Sequence, residues 1–219
     1  MIDIRCGDAP IILDLCAGSG AWSKPYADAG YDVRIVTLPE QDVRLYIPPR
    51  DVRGILAAPP CTHLASSGAR WWAKKGDSAL LEALSVVDAC LRIVHVCNPV
   101  WWALENPVGR LRRYLGKPAL IFDPYDYGDP WRKKSCLWGC FSEPARTPVE
   151  PDLSNEWIHQ KSGRPGKCGG SRRHNTPRAL LPDSICALAE SAFGLEVTRA
   201  QLRSITPPGF ARAFFEANP

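Results

Sequence analysis

Cys61 follows an apolar run, Arg53–Ala58, and the two prolines that end it. Because proline has no N–H to give to a β-ladder, Pro59 and Pro60 stop the strand and leave the thiol in a loop of restricted shape. A thiol of ordinary pKa, ~8.5, is only slightly ionised at neutral pH but is intrinsically nucleophilic. A basic neighbour such as Arg70 could raise the thiolate fraction. The residue is therefore either a nucleophile or an incidental structural cysteine.

A glycine-rich turn, DLCAGSGAWS, ends the first apolar run, Ile11–Leu15. Gly18 and Gly20 let the backbone turn tightly and approach a nucleoside cofactor at a helix N-terminus. A dinucleotide fold would need a third glycine and an acidic residue at the end of the second strand, whereas Trp22 and Thr37 occupy these places. The turn therefore suits S-adenosylmethionine or a purely structural role, and NAD is disfavoured.

A third polar group ends the tryptophan-containing strand Val100–Leu104. Glu105 and Asn106 follow it, and Pro107 comes next. A carboxyl at that depth can donate a hydrogen bond to a substrate, and the alternative is a Glu-Asn pair that caps a helix. Ligands of α/β folds bind at the carboxyl ends of strands, so all three groups could line one crevice.

Alternating strands and helices predict an α/β fold with a mostly parallel sheet covered by helices on both faces. Further strands are predicted at Asp32–Thr37, Ala119–Phe122 and Cys136–Trp138. Apolar residues spaced by three and four from Leu80 to Val94 indicate an amphipathic helix capped by Asp77 or Ser78. Other helices are predicted at Ser23–Ala29, Leu111–Leu115, Pro182–Phe193 and Pro207–Ala217, the last capped by Thr206.

Size and composition indicate an ordinary globular protein. The chain has 219 residues, 45% of them hydrophobic and 23% charged, enough for one substantial core. No apolar run approaches the roughly 18 residues of a membrane span, and the N-terminus lacks a secretory pattern, so we expect a cytoplasmic protein. Nine cysteines, odd in number and without repeated spacing, indicate reduced thiols rather than a disulfide framework.

The periodic pattern is lost after Gly139 and resumes near Pro182. We therefore predict a catalytic and cofactor-binding domain over residues 1–139, a short Gly/Pro-rich insertion over 140–202, and a C-terminal helix over 203–219. The insertion has a run of basic residues without an acidic one, which indicates a polyanion partner or else a solvated loop. The basic residues of this run, between His159 and Arg178, are Lys161, Arg164, Lys167, Arg172, Arg173 and Arg178. Cys136, Cys140, His159 and Cys168 could surround zinc, but their spacing is irregular and we expect no metal.

With these motifs the sequence resembles the DNA (cytosine-5) methyltransferases. DLCAGSGAWS is similar to the cofactor loop of that family, and APPCTHLASSGAR to its Pro-Cys nucleophile loop, the most specific of the matches. WWALENPVGRL resembles its Glu-Asn-Val strand end, YDYGDPWRKKSCLWG its Tyr-Gly-Val-Pro-Gln segment with two alternating arginines, and RSITPPGF its Arg-x-Leu-Thr stretch. The matches run in family order from Ile11 to Phe210. Short proteins of this kind occur in bacteriophages and prophages.

The resemblance implies a Rossmann-like class I methyltransferase fold and S-adenosylmethionine as cofactor. It also implies that DNA with a flipped cytosine is the partner. The implied catalytic residues are Cys61, Glu105, Asn106 and Lys133. The implied cofactor contacts are Asp14, Cys16, Ala17, Gly18, Ser19, Gly20, Trp22, Thr37, Asp42 and Pro59. Nucleic acid would be held by Arg70 and by the basic residues of the insertion.

The sequence departs from the family at several places. Thr37 stands where the ribose acid is expected, and Glu40 could substitute for it. In the alternating-arginine segment Trp131 replaces a glutamine, and Lys133 and Ser135 replace the arginines. The motif that completes the cofactor pocket is not evident after Asn218.

The implied reaction is methylation of carbon 5 of cytosine after the Cys61 thiolate adds to carbon 6, while Glu105 holds N3. Two alternatives stay open. One is the same chemistry on a free pyrimidine nucleotide or RNA, and the other is a degenerate, non-catalytic DNA-binding protein.

Overall fold

The computed structural model describes residues 9–151, 183–194 and 197–219. Its strands are β1 (Ile11–Leu15), β2 (Asp32–Val36), β3 (Val52–Ala57), β4 (Trp101–Pro107), β5 (Leu120–Phe122) and β6 (Ser135–Cys140). Its α-helices are α1 (Lys24–Asp28), α2 (Trp72–Cys97), α3 (Arg112–Leu115), α4 (Asp183–Phe193), α5 (Arg199–Ser204) and α6 (Pro208–Ala217). Two 3₁₀ helices span Ser66–Trp71 and Pro124–Tyr127.

The six strands form one sheet in the order β2-β1-β3-β4-β6-β5. The first four are mutually parallel, and β6 lies antiparallel between β4 and β5, so five of the six strands point the same way. From β1 the chain goes to β2 on one side and then crosses to β3 on the other. Such a switch point opens a crevice beyond the carboxyl ends of the two central strands. The predicted α/β class with a mostly parallel sheet is confirmed.

Helices cover both faces of the sheet because successive residues of each strand point to opposite sides. On one face, Leu13 and Ile55 pack with the buried side of α2, around Val87. On the other face, Ile12 and Leu56 belong to a second apolar cluster that includes residues of α1 and α6. These two apolar layers hold the ends of β1, β3 and β4 rigidly in place.

One predicted strand end is wrong, whereas the start of the long amphipathic helix lies close to its predicted place. The strand predicted to end at Leu104 continues through Pro107, because β6 pairs with Glu105, Asn106 and Pro107 in antiparallel register. Helix α2 consists of two helical segments that meet at Gly76, where φ is 70° and ψ is −175°, so its longer segment begins next to the predicted caps Asp77 and Ser78. No other residue type adopts that φ as easily, so the glycine allows the change of direction.

At the C-terminal helix, Thr206 is not the cap. The N-cap residue is Pro207, without a side-chain capping bond. The short helix α5 was missed by the sequence analysis, although Thr198 and Gln201 form a capping box at its start.

The predicted insertion, residues 140–202, is described only in part. Residues 152–182 lie outside the described ranges. The described helices α4 and α5 form a small apolar cluster that joins Ile185, Ala189 and Ile205 to Ala21 and Trp131. No helix in the described ranges is both long and apolar enough to span a membrane.

Candidate active site

The loop that carries Cys61 is tied to the end of β4. Asn106, fully buried, donates from Nδ2 to the carbonyl oxygen of Pro59 at 2.8 Å. Within the loop, the N–H groups of Leu64 and Ala65 donate to the Cys61 carbonyl oxygen at 2.9 Å. The nucleophile candidate is therefore held by a closed turn on one side and by the neighbouring strand on the other.

Gly109 allows a second tie between this loop and the chain after β4. The Ser66 N–H donates to the Val108 carbonyl and the Arg110 N–H to the Leu64 carbonyl, both at 2.9 Å. The backbones approach so closely that a Cβ on Gly109 would lie 2.0 Å from the Leu64 carbonyl oxygen. Only glycine fits there without a shift of the loop.

Glu105 is held by Ser135 from the adjacent strand. In the β4–β6 register Pro107 faces Ser135 and Glu105 faces Leu137, which places Glu105 and Ser135 diagonally on one face of the sheet. The Ser135 hydroxyl donates to Glu105 Oε1 at 2.5 Å. The sequence marked Ser135 only as the replacement of an arginine, because its contact with Glu105 depends on a long-range register.

The Cys61 thiol interacts electrostatically with three charged side chains. Burial raises its pKa, and the negative charge of Glu105 raises it further. Lys133 lowers the pKa, and Arg203 of α5 does so more weakly, but the net direction is upward. The predicted residues Cys61, Glu105 and Lys133 thus share one site, and Arg203 joins them although the sequence analysis did not select it.

The expectation for Arg70 is corrected by these contacts. Its guanidinium lies over the Trp71 ring, 5.1 Å from the ring centroid, and the cations that act on the thiol are Lys133 and Arg203. Lys133 is held from the other side, because its Nζ donates to the Ile205 carbonyl oxygen at 3.3 Å. This bond joins the site to the chain that follows α5.

The glycine turn lies between the ends of β2 and β3. Cys16, Gly18 and Gly20 have φ values of 58°, 56° and 70°, so the turn passes three times through the left-handed region. The Cys16 N–H donates to the Val36 carbonyl at 2.7 Å. Helix α4 lies against the turn, since a Cβ on Gly18 would be 3.5 Å from the Phe193 ring. Ala17 and Ser19 belong to the same turn.

Asp14, at the base of this turn, is a buried carboxyl group. Burial raises its pKa to about 7, although the Ser23 hydroxyl, which donates to Oδ2 at 2.6 Å, opposes the shift. Its Oδ1 is buried and has no hydrogen-bond partner among the described residues. An unpaired polar atom beside a turn of this shape fits a cofactor that offers a hydrogen-bonding group there.

The other predicted cofactor residues have different surroundings. Pro59 is buried beside Asn106, and Thr37 is half-buried at the end of β2. Asp42 is paired with Arg44, Nη2 to Oδ2 at 2.6 Å. The Trp22 ring lies in the core, 5.5 Å from the ring centroid of Phe214. The Trp22 side chain is 98% covered, so it does not face the cofactor turn as predicted. It anchors the turn to the core.

Arg70 is the one predicted nucleic-acid contact within the described residues, and its side chain is exposed. Lys161, Arg164, Lys167, Arg172, Arg173 and Arg178 lie outside them. Of the zinc candidates, Cys136 is buried in the core and Cys140 is exposed, and His159 and Cys168 are outside the described ranges. Within those ranges no three metal-ligating side chains come together.

The sheet, with β6 antiparallel between β4 and β5, is consistent with a Rossmann-like methyltransferase fold. No protein-family model matches the chain. One curated relative, from Frog virus 3 (isolate Goorha), carries the name "Probable DNA (cytosine-5)-methyltransferase". It is 25% identical over 198 residues, which cover 78% of this chain and 91% of the relative. This match confirms the resemblance to the DNA (cytosine-5) methyltransferases that the motifs indicate.

Two solved structures overlap with parts of the chain. One is a protein assigned as a DNA modification methyltransferase encoded within a prophage of E. coli, with 19% identity and a TM-score of 0.43 over 60% of this chain and 47% of that one. The other is the Entamoeba histolytica methyltransferase EhMeth, with 9% identity and a TM-score of 0.39 over 66% and 57%. At these scores neither likeness bears on what this chain does.

Proposed function

We propose that this protein transfers a methyl group from S-adenosylmethionine to carbon 5 of cytosine in DNA. The observation that carries the proposal is the electrostatic interaction of Cys61 with Glu105 and Lys133, on the strands and loops next to β1, the strand that the glycine turn follows. A thiol, an acid and a cation in one crevice are what addition to a pyrimidine ring requires. The named relative from Frog virus 3 favours DNA as the acceptor.

The residues of the glycine turn would hold the cofactor. Cys16, Gly18 and Gly20 turn the backbone so that its N–H groups can face a ligand, and Asp14 offers a carboxyl oxygen without a hydrogen-bond partner in the described part of the chain. When bound, S-adenosylmethionine supplies an electrophilic methyl group. The shape and the donor set of the turn fit a nucleoside-containing cofactor.

The thiol is the nucleophile of the proposed reaction. The Cys61 sulfur forms a bond to carbon 6 of the ring, and the electron pair released makes carbon 5 nucleophilic. Once carbon 5 is methylated, loss of its proton to a base expels the thiolate and restores the ring. Only after this last step is Cys61 a free thiolate again, so the complete sequence regenerates the nucleophile.

Glu105 couples activation of the thiol to the presence of the base. In the free protein the negative charge of this carboxylate disfavours the Cys61 thiolate. When Glu105 takes up a proton from solvent and donates it in a hydrogen bond to N3 of cytosine, that repulsion is relieved and the thiolate forms beside its target. Ser135 keeps the carboxyl oriented, and Lys133 stabilises the negative charge.

The acceptor must leave the DNA stack to reach Cys61, because the thiol is half-buried. Base flipping of this kind costs a few kcal/mol. Free pyrimidine nucleotides or RNA would avoid most of that cost and stay as the second candidate. A non-catalytic DNA-binding protein is the third, and the retained Cys61 and Glu105 argue against it.

Transfer of labelled methyl from S-adenosylmethionine to duplex DNA, RNA and dCMP distinguishes the three candidates. We expect label in duplex DNA at carbon 5 of cytosine, and no label with Cys61→Ala. Cys140→Ala is the matched control, because Cys140 is exposed at the far end of β6 and should be dispensable. Label confined to RNA or dCMP would replace the proposed acceptor, and activity that survives in Cys61→Ala would refute the mechanism.

A further inference from the structure

A basic and aromatic ridge follows the nucleophile loop. We define it as residues 70–75 (RWWAKK), which contain two tryptophans and three cations, and no acidic residue lies between Cys61 and Asp77. The Trp71 side chain is 46% exposed. An indole that keeps this much surface in water gains free energy when a flat partner covers it.

The ridge is fixed directly beside the candidate nucleophile. Lys75 Nζ donates to the carbonyl oxygen of Thr62, the residue after Cys61, at 3.2 Å. Arg110 Nε donates to the His63 carbonyl at 2.7 Å. The ridge therefore borders the loop that carries Cys61.

The two tryptophans differ in what they contact. Trp72 is half-buried, with the Arg110 guanidinium 4.7 Å from its ring centroid. Trp71 is on the outer side, with the Arg70 guanidinium 5.1 Å from its ring centroid. Trp72 is thus part of the scaffold, whereas Trp71 and Arg70 present an aromatic face and a positive charge together to solvent.

An aromatic face beside a cation matches the two parts of a nucleotide. Every base has a π-face that stacks on tryptophan, and its phosphate pairs with arginine. We propose that the Trp71 ring stacks on a nucleobase next to the target cytosine, while Arg70 contacts the adjoining phosphate. This inference rests on DNA being the substrate.

The test measures the affinity of the full chain for a fluorescent single-stranded oligonucleotide and for the matching duplex. Trp71→Ala should weaken binding about tenfold, the loss expected for one base–aromatic stack, while Trp71→Phe keeps most of the affinity. Leu81→Ala is the control, because it removes another exposed apolar side chain, 65% exposed, on the adjoining helix α2. It should bind as the wild type does.

Salt dependence distinguishes the roles of the two residues. Arg70→Gln should reduce the slope of log affinity against log salt by about one phosphate contact, and Trp71→Ala should leave the slope unchanged. Wild-type affinity in Trp71→Ala, an equal loss in Trp71→Phe, or no DNA binding by the wild-type chain would overturn the inference. If the ridge binds another protein rather than DNA, the wild-type chain should not bind either oligonucleotide.

Methyl transfer by the same preparations distinguishes the inference from the proposed function. If the wild type binds DNA through Trp71 but methylates none, the inference stands and the proposed reaction fails. If the wild type methylates DNA and Trp71→Ala matches it in both assays, the reaction stands and the inference fails.

Discussion

At the scale of single residues, the reactivity of Cys61 depends on two opposing charges. Glu105 raises the pKa of the thiol and Lys133 lowers it, on top of a larger upward effect of burial. The free protein therefore keeps the thiol protonated at neutral pH. A protonated thiol reacts slowly with alkylating reagents, so the charges around Cys61 should set its reactivity.

Alkylation of Cys61 by iodoacetamide near pH 7.5 tests this balance. Glu105→Gln should speed the reaction about two- to tenfold, because removal of the carboxylate charge lowers the pKa of the thiol, and Lys133→Met should slow it. The rate is read at the Cys61 peptide by mass spectrometry, with exposed Cys140 of the same chain as internal control. A slower reaction in Glu105→Gln would contradict the assigned interaction.

Asp14 makes stability depend on pH. Its pKa is about 7 in the folded protein and near 3.8 without the protein environment, so the folded state holds the extra proton between these values. Because the folded state binds more protons there, the free energy of unfolding falls as pH rises from about 4 to 7.

Asp14→Asn removes this dependence and keeps a neutral group of the same shape. We expect the variant to be more stable than the wild type at pH 8, by on the order of 1–4 kcal/mol, and the difference to shrink towards pH 4. Urea unfolding across this pH range measures it, with Asp88→Asn on the exposed side of α2 as control. Parallel stability curves for wild type and Asp14→Asn would show that the carboxyl is not the cause.

At the scale of elements, the ends of three strands position the reactive groups. The carboxyl ends of β1 and β3 were predictable, because apolar runs followed by glycine or proline mark them. The extension of β4 through Glu105 was not, because it depends on pairing with a strand that lies 30 residues further along the chain. For the same reason the contact of Ser135 with Glu105 could not be found in the sequence.

Gly109 tests whether the tie between the Cys61 loop and β4 supports the site. Gly109→Ala would place a methyl group 2.0 Å from the Leu64 carbonyl oxygen, so the loop must move and its two backbone bonds weaken. We expect the free energy of unfolding to fall by about 1–3 kcal/mol, as for other overpacked sites. Methyl transfer should fall by more than this loss of stability explains.

Gly68→Ala is the matched control in the same loop, because its Cβ would lie 3.8 Å from the nearest atom, the Thr62 carbonyl oxygen. It should leave stability and activity close to wild type. Equal behaviour of the two variants would mean that the tie does not matter.

At the scale of the whole molecule, chain segments far apart in sequence close the site. Lys133 is bonded to the Ile205 carbonyl, and Phe193 of α4 lies over Gly18 of the cofactor turn. The C-terminal part of the chain thus contacts both Lys133 and the glycine turn, although no final cofactor motif was evident in its sequence. Local patterns identified Cys61 and Glu105, and the family resemblance added Lys133. Arg203 and Phe193 reach the site through tertiary packing, which local patterns do not encode.

The most direct measurement uses duplex DNA in which 5-fluorocytosine replaces the target base. Fluorine at carbon 5 cannot leave as the proton does, so addition of Cys61 to carbon 6 followed by methylation ends in a stable adduct. With S-adenosylmethionine present, wild type and Cys140→Ala should form a covalent DNA complex that survives denaturation and maps to Cys61, and Cys61→Ala should form none. A complex that forms equally well in Cys61→Ala, or that maps to another residue, would contradict the central claim.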